Sequence, residues 1–201
     1  MPEKAEWDWY PYSPRGELTI IGGDPGARKS TLTRYIALAT LKGLPLPNDP
    51  PGMRRQPGRV LMLSTEDSLT KTVVPQLLKW GATKNDLRRL YLLEEDFTLD
   101  AEGVAMVERA IEELKPDMVF LDPIVSFIGS DVDMNSQNQV RNVLRPLAGL
   151  AKRHNVPIVT VAHARKSGGR ARFRGLLRSG PLRHHGLSGR GWDQHHDPSQ
   201  G

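Results

Sequence analysis

The sequence predicts an α/β protein whose mostly parallel β-sheet is flanked by helices. Short apolar, β-branched runs alternate along the chain with segments whose apolar residues recur at helical spacing. A glycine-containing loop lies between the first apolar run and the first helical segment, the order expected of a phosphate-binding strand–loop–helix unit. The 201 residues, 38% of them hydrophobic, are enough for one globular domain with or without a tail.

Each predicted strand is a short apolar run, and each predicted helix carries an apolar stripe. The strands are expected at 17–22, 59–64, 90–93, 118–121 and 156–162. The helices are expected at about 29–42, 69–80, 101–114 and 139–154. Pro146 lies inside the last helical pattern, so we expect either a kink or a helix that starts nearer to it. The segments 43–58 and 129–138 are rich in loop-forming or polar residues and are expected to be loops.

Three parts are predicted along the chain: an N-terminal segment at 1–14, a core at 15–168 and a tail at 169–201. The tail is rich in Arg, Gly and His and shows no helical or strand period, so we expect it to be mostly disordered. Residues 167–201 contribute +4 of the net charge of +5. Because the rest of the chain is nearly neutral, net charge by itself does not indicate nucleic-acid binding.

Composition excludes several function classes. The chain has no cysteine, which excludes a disulfide scaffold, a thiolate zinc site and a cysteine nucleophile. It has no run of 18 apolar residues and no apolar stretch near the N-terminus, so we expect neither a membrane span nor a secretion signal. These features are compatible with a protein of the reducing cytoplasm, which is the expected location.

The strongest functional signal is the nine-residue segment that joins the first strand to the first helix. It reads Gly23, Asp24, Pro25, Gly26, Ala27, Arg28, Lys29, Ser30 and Thr31. In such a loop the backbone N–H groups and the positive end of the helix converge on phosphate oxygens. Lys29 would reach the β- and γ-phosphates of a bound nucleotide, and the Ser30 hydroxyl would be a ligand of Mg²⁺ with Thr31 beside it.

Arg28 departs from this pattern, which has glycine at that position. Two interpretations remain open. The side chain could weaken nucleotide binding through steric strain, because glycine lets the backbone approach the phosphates without a Cβ. Alternatively, it could swing out to solvent and leave the loop functional. An ordinary turn before a basic helix is a third interpretation of the whole segment, but the order of strand, loop, Lys-Ser and helix argues against it.

Three further polar residues stand at or just beyond the ends of predicted strands, where parallel sheets bind ligands. Asp122 follows the run 118–121 and is a candidate for holding Mg²⁺, directly or through water, unless it is only a polar strand end. Glu66 follows the run 59–64 and is the candidate general base for the attacking water, although this segment could simply cap the next helix. His163 could sense the γ-phosphate or could be only a polar terminus.

Four segments occur in the order RGELTIIGGDPGARKSTLT, VLMLSTEDS, MVFLDP and VPIVTVAHARKSGG, and together they resemble the RecA/DnaB-type ATPases. The resemblance is greatest to the RepA-like replicative helicases of plasmids and phages, also called AAA family ATPases. It implies a RecA-like core, use of ATP and Mg²⁺, hexameric rings and movement along single-stranded DNA. It matches Lys29 and Ser30 to the Walker A lysine and serine, Glu66 to the catalytic glutamate, Asp122 to the Walker B aspartate and His163 to the sensor.

Beyond FRGL, members of this family continue into strands that carry an arginine finger, and residues 176–201 do not resemble them. We therefore expect a member that is incomplete at its C-terminus. Because the finger is missing and Arg28 is present, we expect little or no turnover by this chain alone. The leading hypothesis is an ATP-binding motor domain related to replicative helicases. The alternatives are a non-catalytic nucleotide-binding or assembly module and a degenerate remnant of a mobile element.

Overall fold

The computed structural model describes residues 6–64, 69–130, 132–133 and 136–163, with His163 given by its backbone alone. The strands are β1 (Trp7–Trp9), β2 (Ser13–Pro14), β3 (Leu18–Gly23), β4 (Val60–Leu63), β5 (Leu90–Leu93), β6 (Met118–Leu121) and β7 (Ile158–His163). The helices are α1 (Lys29–Lys42), α2 (Leu69–Lys79), α3 (Lys84–Leu87), α4 (Ala101–Leu114) and α5 (Gln137–His154), with a 3₁₀ turn at Ile124–Phe127. The predicted tail at 169–201 lies outside the described residues.

Five of the strands form one parallel sheet in the order β3-β7-β6-β4-β5. The central strands β4 and β6 are continuous apolar runs, and all four residues of each are buried. That composition is expected for strands covered by helices on both faces. The predicted α/β class with a mostly parallel sheet is confirmed.

Two apolar layers cover the two faces of the sheet. Val60 and Met62 of β4 belong to the layer that includes residues of α1 and α2. Leu61 and Leu63 belong to the opposite layer, which includes residues of α4 and α5. This division follows from the alternation of side chains along a strand, so each strand contributes to both layers. The sheet is thereby held from both sides, and the ends of its strands are fixed relative to one another.

The short elements β1, β2 and α3 were not predicted by the sequence patterns. β1 and β2 form an antiparallel pair. Trp9, the last residue of β1, belongs to the core and is only 8% exposed. Its indole N–H donates a hydrogen bond to the carbonyl of Pro47 at 3.1 Å. α3 is a single turn with a capping box, in which Thr83 and Asp86 satisfy each other's backbone N–H groups. All three elements are too short to show a hydrophobic period, which is why pattern analysis does not find them.

The last helix, α5, differs from its prediction at its beginning. It starts at Gln137, where Ser136 caps it, and continues through Pro146 to His154, so a helix that starts near Pro146 is wrong. Pro146 has no backbone N–H, so one hydrogen bond of the helix is missing there, and the packing of the buried helix face compensates for this loss. The buried residues are Val140, Leu144, Leu147, Leu150 and Ala151. None of the helices in the described residues has both the length and the apolar composition needed to cross a membrane.

Candidate functional site

The candidate site lies at the carboxyl edge of the sheet, where the ends of β3, β7, β6 and β4 are neighbours. Gly23 pairs with His163 across β3 and β7, and Leu63 pairs with Leu121 across β4 and β6. The segments that follow these strands therefore begin side by side. This edge is where open α/β sheets bind their ligands.

The loop between β3 and α1 has a backbone shape that explains the glycine pattern. Gly26 has φ +81°, and Arg28, the residue before the first helical residue, has φ 56° and ψ 32°. Left-handed residues in a turn are the backbone feature from which anion-binding concavities are built. Arg28 thus occupies a conformation in which a side chain costs about 1–2 kcal/mol relative to glycine. Arg28 is an exposed residue, as are the four residues before it.

Lys29 is folded back under the loop that precedes it. The residue is only 6% exposed, and its ammonium group donates hydrogen bonds to the carbonyl oxygens of Gly23 and Asp24, both at 2.9 Å. These bonds compensate for the burial of a charged group. They also place a positive charge inside the loop, as phosphate binding requires.

Asp122 is held by two hydroxyl groups from one turn of α1. Ser30 Oγ donates to Asp122 Oδ1 at 3.1 Å, and Thr33 Oγ1 donates to Asp122 Oδ2 at 2.9 Å. The backbone N–H of Asp122 donates to the carbonyl of Leu63 at 3.1 Å, which anchors the residue to β4. The structure thus brings Ser30 and Asp122 together as predicted. Thr33 was not predicted, although its spacing of three from Ser30 places both on one helix face.

A cavity of about 30 Å³ adjoins this hydrogen-bonded group. Its lining residues are Ser30, Arg34, Met62, Leu63, Ser64, Leu69, Val73, Asp122 and Pro123. The guanidinium of Arg34 donates to the side-chain oxygen of Gln76 at 2.8 Å and so links α1 to α2. Hydroxyl and carboxylate oxygens at one wall of the cavity are the donor types that Mg²⁺ prefers, so the residues present fit that ion.

Two predicted residues are not described at the level of their side chains. Glu66 lies outside the described residues, and His163 is described by its backbone, next to Gly23. Another acidic residue that follows a strand has a structural task instead. Glu94, after β5, accepts hydrogen bonds from the backbone N–H and hydroxyl of Thr70, at 2.8 and 3.0 Å. The hydrogen bond from the Thr70 N–H has the larger effect and the one from its hydroxyl the smaller, and both hold the pKa of Glu94 below its usual value.

A family model described as an AAA domain matches residues 1–169. The chain belongs to this AAA-domain family. The predicted relation to the RecA-like P-loop ATPases is thereby confirmed, and the parallel sheet with its loop before α1 is the RecA-like core of an AAA-domain protein.

Curated relatives with the name DNA repair protein RadA resemble most of this AAA-domain chain. The protein of Streptococcus pneumoniae (strain ATCC BAA-255 / R6) is 31% identical over 76% of the chain. Those of Listeria monocytogenes and Bacillus subtilis are 31% and 30% identical over 76% and 77% of it. The chain covers only 29–31% of the length of these three relatives. The finer assignment to replicative helicases stays a prediction.

Proposed function

We propose that the chain binds ATP with Mg²⁺ through the loop 23–31 and is the ATP-hydrolysing core of a protein that acts on DNA. The observation that carries this proposal is the hydrogen bond between Ser30 and Asp122 at the carboxyl edge of the sheet, next in sequence to Lys29, whose ammonium group bonds the carbonyls of Gly23 and Asp24. Lys29 and Ser30 begin α1 and Asp122 follows β6, so residues up to 93 positions apart in sequence contribute to this edge.

The phosphates of ATP would bind at the start of α1. Lys29 already carries its charge into the loop, and its two bonds to loop carbonyls can be exchanged for bonds to phosphate oxygens. The first backbone N–H groups of α1 add partial positive charge. Exposed Arg28 adds a further cation at the rim of the loop. Together these groups offset the negative charge of a polyphosphate.

Mg²⁺ would be held by the Ser30 hydroxyl and, directly or through water, by the Asp122 carboxylate. Their donor types fit this ion, and the adjoining cavity of about 30 Å³ is lined by both residues. When bound, the ion offsets phosphate charge during hydrolysis. The hydrogen bond from the backbone N–H of Asp122 to the carbonyl of Leu63 keeps this ligand at the strand end.

Hydrolysis would also require a base and a contact to the terminal phosphate. Glu66 is proposed to accept the proton of the attacking water, and His163 is proposed to bond the γ-phosphate. Their strands support this assignment, because β4 ends at Leu63 three residues before Glu66 and β7 ends at His163 beside Gly23. The proton moves to the Glu66 carboxylate as the water oxygen bonds to phosphorus and the bond to ADP breaks.

Action on DNA is proposed from the similarity to relatives called DNA repair proteins and from the resemblance to replicative helicases. Hexameric assembly and movement along single-stranded DNA belong to this proposal.

Binding of a fluorescent ATP analogue to the 201-residue chain, with and without Mg²⁺, tests the proposal. We expect Mg²⁺-dependent binding that Lys29→Ala weakens about 10- to 100-fold, the effect of removing a hydrogen bond between charged groups. Lys42→Ala is the matched control, since Lys42 lies at the other end of α1 and donates to the carbonyl of Gly81. It should leave affinity unchanged.

The outcomes separate the three hypotheses. ATP turnover that Glu66→Gln abolishes would support the enzyme, and turnover stimulated by single-stranded DNA would support the motor. Nucleotide binding without turnover under any condition would favour the assembly module. Equal affinity of the unmodified chain and Lys29→Ala would contradict the proposal. Absence of binding would also contradict it and would leave the degenerate remnant.

A further inference from the structure

Thr33 is a buried polar residue that the proposed chemistry does not use. It is 0% exposed, and its hydroxyl lies 2.9 Å from Asp122 Oδ2 and 2.9 Å from the carbonyl oxygen of Ser30. The hydroxyl has a single proton, so it donates fully to only one of these acceptors at a time. A carboxylate is the stronger acceptor because its charge assists the hydrogen bond. The proton is therefore directed chiefly to Asp122.

The geometry around Asp122 gives this bond a particular effect. The torsion that orients a carboxylate about its Cβ–Cγ bond is broad, so one hydrogen bond leaves the group free to turn. Ser30 bonds Oδ1 and Thr33 bonds Oδ2, and these two bonds on different oxygens fix the plane of the group. Thr33 is β-branched and lies within a helix, so its own side chain is restricted to few conformations.

We propose that Thr33 is a positioning residue for the metal ligand Asp122. Its bond to Oδ2 keeps the carboxylate directed toward Ser30, whose hydroxyl would be a ligand of Mg²⁺. Thr33 does not line the cavity beside Ser30 and Asp122, so it would act through the carboxylate and not as a ligand itself. This inference rests on the proposed function, and it assigns Thr33 a role in metal affinity in addition to packing.

The test is the Mg²⁺ concentration at which the full chain reaches half of its maximal binding of a fluorescent ATP analogue. Thr33→Val keeps the shape of the side chain and removes the hydroxyl. We expect it to raise this midpoint about tenfold, the lower end of what losing a partner of a metal ligand causes. Thr33→Ser retains the hydroxyl and should restore a midpoint close to that of the unmodified chain.

Thr40→Val is the matched control on the same helix. The Thr40 hydroxyl donates to the carbonyl of Ile36 at 3.0 Å, a bond within α1. Its removal should leave the Mg²⁺ midpoint unchanged. Thermal unfolding of each variant without nucleotide identifies any variant that does not fold. If Thr33→Val does not fold, Thr33→Ala and Thr33→Ser replace it as a pair that differs by one hydroxyl, with the same tenfold difference expected.

Two negative results have different meanings. If the unmodified chain binds no nucleotide, the proposed function fails and the role of Thr33 fails with it. If the unmodified chain binds nucleotide and removing the Thr33 hydroxyl leaves the Mg²⁺ midpoint unchanged, only the positioning role is overturned. In an Asp122→Asn background the hydroxyl should have little further effect, and a full tenfold effect there would also overturn the proposal.

Discussion

The helices α1 and α4 are both 14 residues long, but their first turns are built differently. At α4, the side chain of Asp100 accepts hydrogen bonds from the N–H groups of Glu102 and Gly103, both at 3.0 Å. At α1, Arg28 occupies the corresponding position with φ 56°. Among the described residues, no side chain caps α1 and its first turn has no acidic residue.

The space around the two helix starts also differs. A Cβ placed on Gly103 would overlap the carbonyl oxygen of Thr98, so the chain itself packs closely against α4. A Cβ placed on Gly26, before α1, has no heavy atom of the described residues within 4 Å apart from its chain neighbours. The chain thus satisfies the start of α4 with its own groups. The start of α1 has the backbone and charge that suit an anion from outside the chain.

The largest expected effect in this comparison is that of Gly103→Ala. Because the added methyl group meets backbone rather than a flexible side chain, we expect a loss of about 1–3 kcal/mol in the free energy of unfolding, the usual effect of overpacking. Urea unfolding measures it. Gly149→Ala in α5 is the control, since its Cβ would meet only the end of the flexible Arg153 side chain at 3.2 Å. Equal stability of the two variants would contradict the close packing at α4.

Asp100→Ala is expected to have the next largest effect. It should lower the melting temperature by about 2–4 °C, as expected for the loss of one N-cap in a chain of this size. The hydrogen bond from the Gly103 N–H, and to a lesser extent the one from the Thr98 hydroxyl, holds the pKa of Asp100 below its usual value. Its stabilising contribution is therefore present above the usual pKa of about 4 and is lost as the pH falls through the lower folded value.

Thermal unfolding from pH 7 down to strongly acidic solution measures this dependence. The difference in melting temperature between the unmodified chain and Asp100→Ala should narrow at the acidic end. Glu113→Ala, an exposed acidic position near the other end of α4, should show a much smaller difference at neutral pH. A gap that stayed constant with pH would argue against capping by the ionised carboxylate.

The smallest expected effect is that of Arg28→Gly. Glycine removes the strain of the left-handed conformation but increases the freedom of the unfolded chain, so we expect a net gain of about 0.5–1 kcal/mol in the free energy of unfolding. Under the steric interpretation the affinity for ATP also rises. Calorimetry decides this point, because an unchanged dissociation constant would refute steric hindrance by Arg28.

Lys115→Gly supplies the matched control for Arg28→Gly. Lys115 is also a basic residue with a left-handed backbone, φ 47°, but it ends α4 and is not part of the site. It should gain similar stability and leave nucleotide affinity unchanged. If Lys115→Gly changed the affinity as much as Arg28→Gly, the gain could not be assigned to the phosphate loop.

The hydrophobic patterns predicted the parallel sheet and the longer helices, since burial on both sheet faces or on one helix face leaves a visible period. The loop motif and the strand-end aspartate predicted separately that Ser30 and Asp122 lie at the same edge of the sheet, and their side chains are hydrogen-bonded at 3.1 Å. Thr33 was missed because an isolated threonine in a helix carries no signal of its partner. Glu94 shows the converse difficulty: it follows a strand as Asp122 does, but it bonds Thr70 at the start of α2.

The sequence by itself determined the order of the longer elements, the phosphate-loop motif and the family relation, because these depend on local pattern and on residue type. The tertiary structure decided that Thr33 bonds Asp122 across 89 positions, and it assigned Trp9 to the core. It also revealed the left-handed backbone of Arg28. Such details depend on which surfaces meet when the helices pack on the sheet, and a linear pattern does not specify that meeting.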